Sequence, residues 1–277
     1  MQRKLFSVIF EGRTGSSELM ARLNSHLSIQ AFPEILAPIC PPDRSWASRR
    51  DAIEEILVRL KLGNDPQTYV EAYSKLGADA NSLPVRGFKT RLNSRSDLMW
   101  YEQVGRTENF YQVEPALLLP ILEEHQFHLI RLGRRDLVRN AISWLRGVRL
   151  ANDHGNRWNV EKGHAGLGPS PIDPKLLVNT IAWLGTARSV HDAAFDAYGG
   201  PKLNILYEDL FGQDAGHFQN LLEFLGVPPC PLEPFYVRAT EQDLSNSISN
   251  YDEVAQYMRK LGMGHLFDND RQSEDVT

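Results

Sequence analysis

Apolar positions along the chain follow two periods. Short apolar or alternating runs at Leu5–Phe10 ("LFSVIF"), Ser28–Phe32, Val85–Leu92 ("VRGFKTRL"), His128–Leu132 ("HLIRL") and Leu203–Tyr207 ("LNILY") read as strands. Between them the period lengthens to that of helices. Ser16–His26 carries Leu19, Met20 and Leu23 on one face, and further helices are expected near 47–62 and 66–76. Pro115–His125 begins with a proline suited to a first turn, followed by Asp136–Leu150, Pro174–Tyr198 and Ala215–Gly226. A polar, glycine-rich loop spans 152–171, and residues 266–277 read as a frayed tail after one domain of residues 1–265. Strands alternating with helices predict an α/β fold with a mostly parallel sheet of about five strands.

In such sheets ligands sit beyond the carboxyl ends of the strands. Glu11–Ser17, Glu34, Lys89–Arg91, Arg134-Arg135 and Glu208-Asp209 all lie at or just past a strand end, so five polar clusters are expected to converge. The net charge of −5 argues against a nucleic-acid binder that relies on overall charge, so any anion site must be built locally. No apolar stretch is long enough for a leader or a membrane span, and Cys40 and Cys230 read as two thiols in a reducing cytosol. The expected setting is cytoplasmic, without a metal, since no metal-ligand spacing occurs.

Two of these clusters carry the chemistry. After the first strand come Gly12, Arg13, Thr14, Gly15, Ser16 and Ser17, then a helix: a layout that points backbone N–H groups at an anion. The glycines permit close backbone approach, and Ser16 and Ser17 offer hydroxyls and a helix N-cap. A phosphate loop of the G-x-x-x-x-G-K-[ST] kind needs a lysine that is missing here, and Arg13 is the charge at hand. The plain alternative is an ordinary strand-to-helix turn. In "HLIRLGRRDLVRNAISWLRG" a strand delivers Arg134 and Arg135 to the start of a helix, and Ser143 follows eight residues after Arg135. Arginines at a strand end suit a phosphate; the alternative is a solvated basic face.

Taken together, a lysine-free R-x-G-S-S loop followed by strand, arginine, eight residues and serine resembles the PAPS-dependent sulfotransferase superfamily (PAPS, 3′-phosphoadenosine 5′-phosphosulfate). "AFPEIL" (31–36), "GFKTRL" (87–92), "LNILYEDL" (203–210) and "FLGVP" (224–228) agree in order and spacing. "AFPEIL" resembles the segment where bacterial carbohydrate and tyrosylprotein sulfotransferases carry a glutamate, and "LSNSISNYDEV" (244–254) resembles nodulation-factor-type enzymes. The resemblance implies a P-loop-like three-layer fold. It also implies a first loop, Gly12 to Ser17, that grips the 5′-phosphosulfate, and a general base at Glu34. Arg13 and Lys89 would stabilise developing charge, with Arg13 a candidate neighbour for Glu34. Arg135 and Ser143 would hold the 3′-phosphate, with Arg134 as the one-residue alternative, and Tyr207 would add a hydroxyl. The product would be 3′,5′-ADP. The cytosolic steroid and phenol type has a lysine in the first loop and an R-K-G segment, neither of which occurs here; the adenine contacts stay unassigned.

The acceptor implied is a small molecule or a saccharide, sulfated at a hydroxyl or an amine. The loop at 152–171, with His154, Trp158 and His164, is the expected place for its recognition. Trp100, Tyr101 and Trp158 read as packing residues, the alternative being stacking on a sugar or aromatic acceptor. Two other classes compete: a nucleotide or small-molecule kinase, for which Asp136 and Asp209 are the only metal-binding candidates, and a nucleotide-binding protein without chemistry.

Overall fold

A computed structural model describes residues 3–62, 84–94, 97–153, 160–161, 168–212, 216–237 and 243–268. The helix expected at 66–76, most of the loop at 152–171 and the end of the chain lie outside them. In chain order the elements are β1 (Lys4–Phe10), α1 (Ser16–Asn24), β2 (Ile29–Phe32), α2 (Trp46–Leu62), β3 (Val85–Thr90), α3 (Leu98–Gln103), α4 (Pro115–Glu124) and β4 (His128–Gly133). Then follow α5 (Leu137–Asp153), β5 (Val160–Glu161), α6 (Pro174–Ala197), β6 (Lys202–Leu206), α7 (Tyr207–Leu210), α8 (Gly216–Leu225), β7 (Tyr236–Val237), α9 (Tyr251–Lys260) and α10 (His265–Asp268). They group into two compact units. The first holds residues up to Arg135 together with Ala187–Pro234; the second holds Asp136–Thr186 and the residues from Phe235 onward.

The first unit is built on a five-stranded sheet of order β2-β3-β1-β4-β6, with every neighbouring pair parallel. β1 lies in the middle, which is why "LFSVIF" is apolar on both faces. Phe6, Val8 and Phe10 pack on one side with Leu19, Met20 and Leu23 of α1 and Leu221, Leu222 and Leu225 of α8. Leu5 and Ile9 pack on the other with Ile53, Leu57 and Leu60 of α2 and Leu117, Leu118 and Leu122 of α4. The period-two alternation thus yields helix, sheet and helix layers, the α/β three-layer fold expected. At Phe6↔Gly87, glycine is required by space. A Cβ on Gly87 would lie 2.3 Å from the Phe6 ring.

β3 stops two residues earlier than its alternation suggests, because its next donors are taken by partners outside the sheet. The Arg91 N–H goes to the Tyr111 hydroxyl (2.9 Å), the Leu92 N–H to His191 Nε2 (3.2 Å), and the Asn93 N–H to the Val113 carbonyl (3.1 Å). Since Nε2 accepts, the His191 proton sits on Nδ1 and is donated to the Ala187 carbonyl (2.8 Å). Burial, with Arg131 nearby, lowers the His191 pKa to about 4, against smaller upward pulls from hydrogen bonds and Asp97. A histidine lowered in the folded state binds its proton more readily in the unfolded chain, so its contribution is present above pH 6.5 and is lost as pH falls toward 4. The parent is expected to lose up to about 3 kcal/mol more than His191→Gln over that window, read from denaturant midpoints.

The second unit contains α5, the first half of α6, the antiparallel pair β5–β7, α9 and α10. Asp136 accepts from the Arg139 N–H (2.8 Å), capping the start of α5. Arg146, buried on α5, donates to the Ser247 carbonyl and to the Gly168 carbonyl (3.3 Å), while Ser170 bridges Ile248. The segment "LSNSISNY" is therefore tied to α5 by a buried arginine. α10 extends three residues into the stretch expected to be frayed, and Phe267 is buried. Among the described residues no helix is long and apolar enough to cross a membrane.

Candidate active site

All five strands of the first unit point their carboxyl ends the same way, so the turns after them share one edge of the sheet. The chain departs from β1 toward β2 and from β4 toward β6, which places the reversal of strand order between β1 and β4. The loop after β1 sits there. Gly12 (φ 80°), Arg13 (φ 54°) and Gly15 (φ 77°) are all left-handed, a run that turns successive N–H groups into a concave, anion-binding curve. For Arg13 this conformation costs about 1–2 kcal/mol, which the surrounding contacts must offset. Gly15, not Ser16, is the N-cap of α1, and no side chain caps it. The left-handed turn takes the cap position and leaves Ser16 as the first helical residue, its hydroxyl turned to other use.

That use is Lys89. Its Nζ lies 2.8 Å from Ser17 Oγ and 3.4 Å from Ser16 Oγ, and 3.8 Å from Glu34 Oε1. The register pairs Lys89 with Val8, so β3 sets this ammonium beside the loop that follows β1. An ammonium from the neighbouring strand thus stands beside a loop whose own sequence has no lysine. Burial lowers the Lys89 pKa; Glu34 pulls it up, and Arg91 and Arg13 push it down again. Arg13 is brought down to about 10 by burial and by Arg134. Arg134 in turn donates to the Arg13 carbonyl (3.3 Å) and lies over the Tyr207 ring (4.7 Å to the centroid). Arg134 thus lowers Arg13, and Arg13 lowers Lys89, while Glu34 stands 3.8 Å from Lys89 and Glu208 3.9 Å from Arg134. The Thr14 hydroxyl is buried with no hydrogen-bond partner among the described residues.

Glu34, two residues past β2, carries a carboxylate with several partners. Oε2 accepts from the Tyr111 hydroxyl (2.8 Å) and from Arg91 Nε (3.1 Å). Burial would raise its pKa, but Arg91 and Lys89, with the Tyr111 and Arg91 hydrogen bonds, hold it below the ordinary carboxylate value. Its cations are therefore Arg91 and Lys89, where the sequence pointed to Arg13. Arg91, Tyr101 and Tyr111 carry no sign of this role in the sequence, except that Arg91 lies two residues beyond Lys89 and so on the same side of the chain.

Tyr207 begins α7 instead of ending β6, and its ring packs against Phe211 (5.1 Å between centroids) and the Gly15 turn. A Cβ on Gly15 would meet Phe211 at 2.7 Å and Tyr207 at 2.8 Å. Gly15→Ala is expected to cost at least about 1–2 kcal/mol from its left-handed backbone alone, with the displaced rings adding to this. Denaturation midpoints and 3′,5′-ADP affinity should fall together. Arg135 is exposed, donating its N–H to Glu208 (2.8 Å) and its guanidinium to Asp209 (2.9 Å), so of the two candidates Arg134 is the one that touches the loop. Ser143 is buried on α5, within the second unit. Beneath the loop, Glu11 pairs with Arg131 (3.0 Å) and Arg188 (3.5 Å), and Arg131 also meets Asp192 (2.5 Å). Burial raises the Glu11 pKa against both arginines; removing one partner of such a buried pair costs about 3–5 kcal/mol. Trp100 and Tyr101 are buried, as expected of packing residues, and His154, Trp158 and His164 lie outside the described residues.

Neither a protein-family model nor a curated protein matches the sequence. Among solved structures, the chain is similar to a sulfotransferase from Alicyclobacillus acidocaldarius, with 14% identity over 96% of this chain and 97% of that one and a TM-score of 0.45. It is also similar to the sulfotransferase domain from the curacin biosynthetic pathway (17% identity, 83% and 76% covered, TM-score 0.41). A third is mouse sulfotransferase SULT7A1 complexed with PAP (13% identity, 83% and 62% covered, TM-score 0.40). All three are sulfotransferases.

Proposed function

We propose that the protein is a sulfotransferase that uses PAPS to sulfate a hydroxyl or an amine on a small-molecule or saccharide acceptor. The observation that carries this reading is the loop after β1. Lys89 stands 2.8 Å from Ser17 and 3.8 Å from Glu34, Arg134 donates to the Arg13 carbonyl, and the Thr14 hydroxyl is buried with no hydrogen-bond partner among the described residues. When bound, PAPS supplies the sulfuryl group, and 3′,5′-ADP is the product. Glu34 takes the acceptor's proton as general base. Lys89 and Arg13 neutralise the charge that develops as transfer proceeds. Gly12, Thr14, Gly15, Ser16 and Ser17 hold the 5′-phosphosulfate through N–H groups and hydroxyls. Arg135 and Ser143, or Arg134 in place of the first, keep the 3′-phosphate assignment, with Tyr207 adding a hydroxyl.

Under this reading residues 1–265 act as one cytoplasmic catalytic domain that needs no metal. The two aspartates open to a kinase reading are otherwise engaged: Asp136 caps α5 and pairs with Arg139 (3.3 Å), and Asp209 pairs with Arg135 (2.9 Å). The test is release of 3′,5′-ADP from PAPS in the presence of a panel of saccharides, phenols and amines, with and without a chelator. Acceptor-dependent release that survives chelation supports the proposal. Turnover of ATP that requires Mg²⁺, with none of PAPS, would replace it by the kinase reading.

A further inference from the structure

We propose that Arg91 and Tyr111 are the positioning residues of the base: together they clamp Glu34 by Oε2 and reserve Oε1 for the acceptor's proton. This rests on the sulfotransferase reading for the identity of the reaction, but the clamp itself is a matter of geometry. The Tyr111 hydroxyl accepts the Arg91 backbone N–H (2.9 Å), and its single proton is then directed to Glu34 Oε2 (2.8 Å). The direction is forced, because an amide N–H only donates and a carboxylate only accepts. Arg91 Nε adds a second donor to the same oxygen (3.1 Å). Two donors occupy the lone pairs of Oε2, while Oε1 faces Lys89 at 3.8 Å, beyond hydrogen-bond length.

The guanidinium is itself fixed. Its other nitrogens donate to the Tyr101 hydroxyl and to the Asn109 carbonyl (3.3 Å), and it lies over the Tyr111 ring (5.0 Å). Tyr101 comes from α3, Asn109 from the single 3₁₀ turn that follows it, and Tyr111 from the stretch beyond. That stretch is tied down by Gln112 N–H to the Cys40 carbonyl (2.8 Å) and by Asn93 to Tyr111 and Val113. The residues 97–113 thus lie over the end of β3 and the turn after β2, with the Tyr101 hydroxyl and the Asn109 carbonyl turned to Arg91 and the Tyr111 hydroxyl to Glu34. The ionisable groups around Glu34 are Arg91 and Lys89 from β3 and its end, Tyr101 from α3, and Tyr111. Burial pushes both phenols up, Tyr101 to about 12, so each keeps its proton at any working pH. The clamp favours the ionised form of Glu34, a half-buried carboxylate that desolvation alone would push toward its protonated form.

The experiment is a ¹³C titration of the Glu34 carboxyl in the full chain, its resonance assigned by loss in Glu34→Gln. Tyr111→Phe removes one hydroxyl and keeps the ring; Arg91→Met and Arg91→Lys remove and partly restore the second donor. The expected result is a parent midpoint below that of a free glutamate, raised by about one pH unit in Tyr111→Phe and further in Arg91→Met, with Arg91→Lys between them. With PAPS and an acceptor, the acid limb of the rate profile should move by the same amount, kcat should fall, and affinity for 3′,5′-ADP should hold. An unmoved Glu34 midpoint in Tyr111→Phe, in a parent that binds 3′,5′-ADP, overturns the clamp and leaves the sulfotransferase reading standing. A raised midpoint in a protein that binds no 3′,5′-ADP does the reverse.

Discussion

Glu34→Gln will lower acceptor-dependent sulfuryl transfer by about 10²–10⁴-fold while leaving 3′,5′-ADP affinity near that of the parent. The amide keeps the size of the carboxylate and still accepts from Tyr111 and Arg91 through its oxygen, so the fold around the site should survive. What it loses is the ability to take a proton. Because Arg91 and Lys89, aided by the Tyr111 hydrogen bond, hold Glu34 below the ordinary carboxylate value, it is ionised throughout the neutral range. The parent rate should therefore be flat around neutrality and fall only in acid, as the carboxylate protonates. A variant that transfers at the parent rate would remove Glu34 from the chemistry and leave the binding assignments untouched.

Lys89→Met will fail differently, losing both binding and transfer. The ammonium touches Ser17 and Ser16 on one side and stands near Glu34 on the other, so it serves the loop and the base at once. Loss of one charge aimed at a developing anion costs about 10²–10³-fold in rate, and here weaker 3′,5′-ADP binding should accompany it. Methionine keeps most of the apolar stem and removes the ammonium, together with its position over the Phe10 ring (5.1 Å to the centroid). Calorimetry beside the transfer assay checks the prediction. Intact 3′,5′-ADP binding in Lys89→Met would mean that the loop holds its anion without help from β3.

The framework was legible because it depends on local periodicity. A run that is apolar on both faces, as at Leu5–Phe10, belongs in the middle of a parallel sheet, and β1 is there. The rule that ligands lie beyond strand ends then brought Glu34, Lys89 and the loop after β1 to one edge. Four features were not legible, the first two because they depend on contacts far apart in sequence. β3 ends at Thr90 because Tyr111 and His191 take its next donors, from 20 and 99 residues away. Tyr101 reads as a packing residue in the sequence and Tyr111 carries no signal there; both rings are buried, and their hydroxyls are directed at Arg91 and Glu34. Ser16 reads as a cap by residue type, yet the left-handed Gly15 takes that position. In the pair Arg134-Arg135, strand alternation sends neighbours to opposite sides but cannot say which side meets the loop.

The most direct measurement is calorimetric titration of the protein with 3′,5′-ADP in the absence of Mg²⁺, beside 5′-AMP and ATP. A site built for PAPS should bind 3′,5′-ADP without metal, prefer it clearly to 5′-AMP, and lose that preference in Arg134→Ala or Arg135→Ala, whichever side chain holds the 3′-phosphate. Equal affinity for 3′,5′-ADP and 5′-AMP, or binding that appears only with Mg²⁺ and ATP, would contradict the sulfotransferase reading.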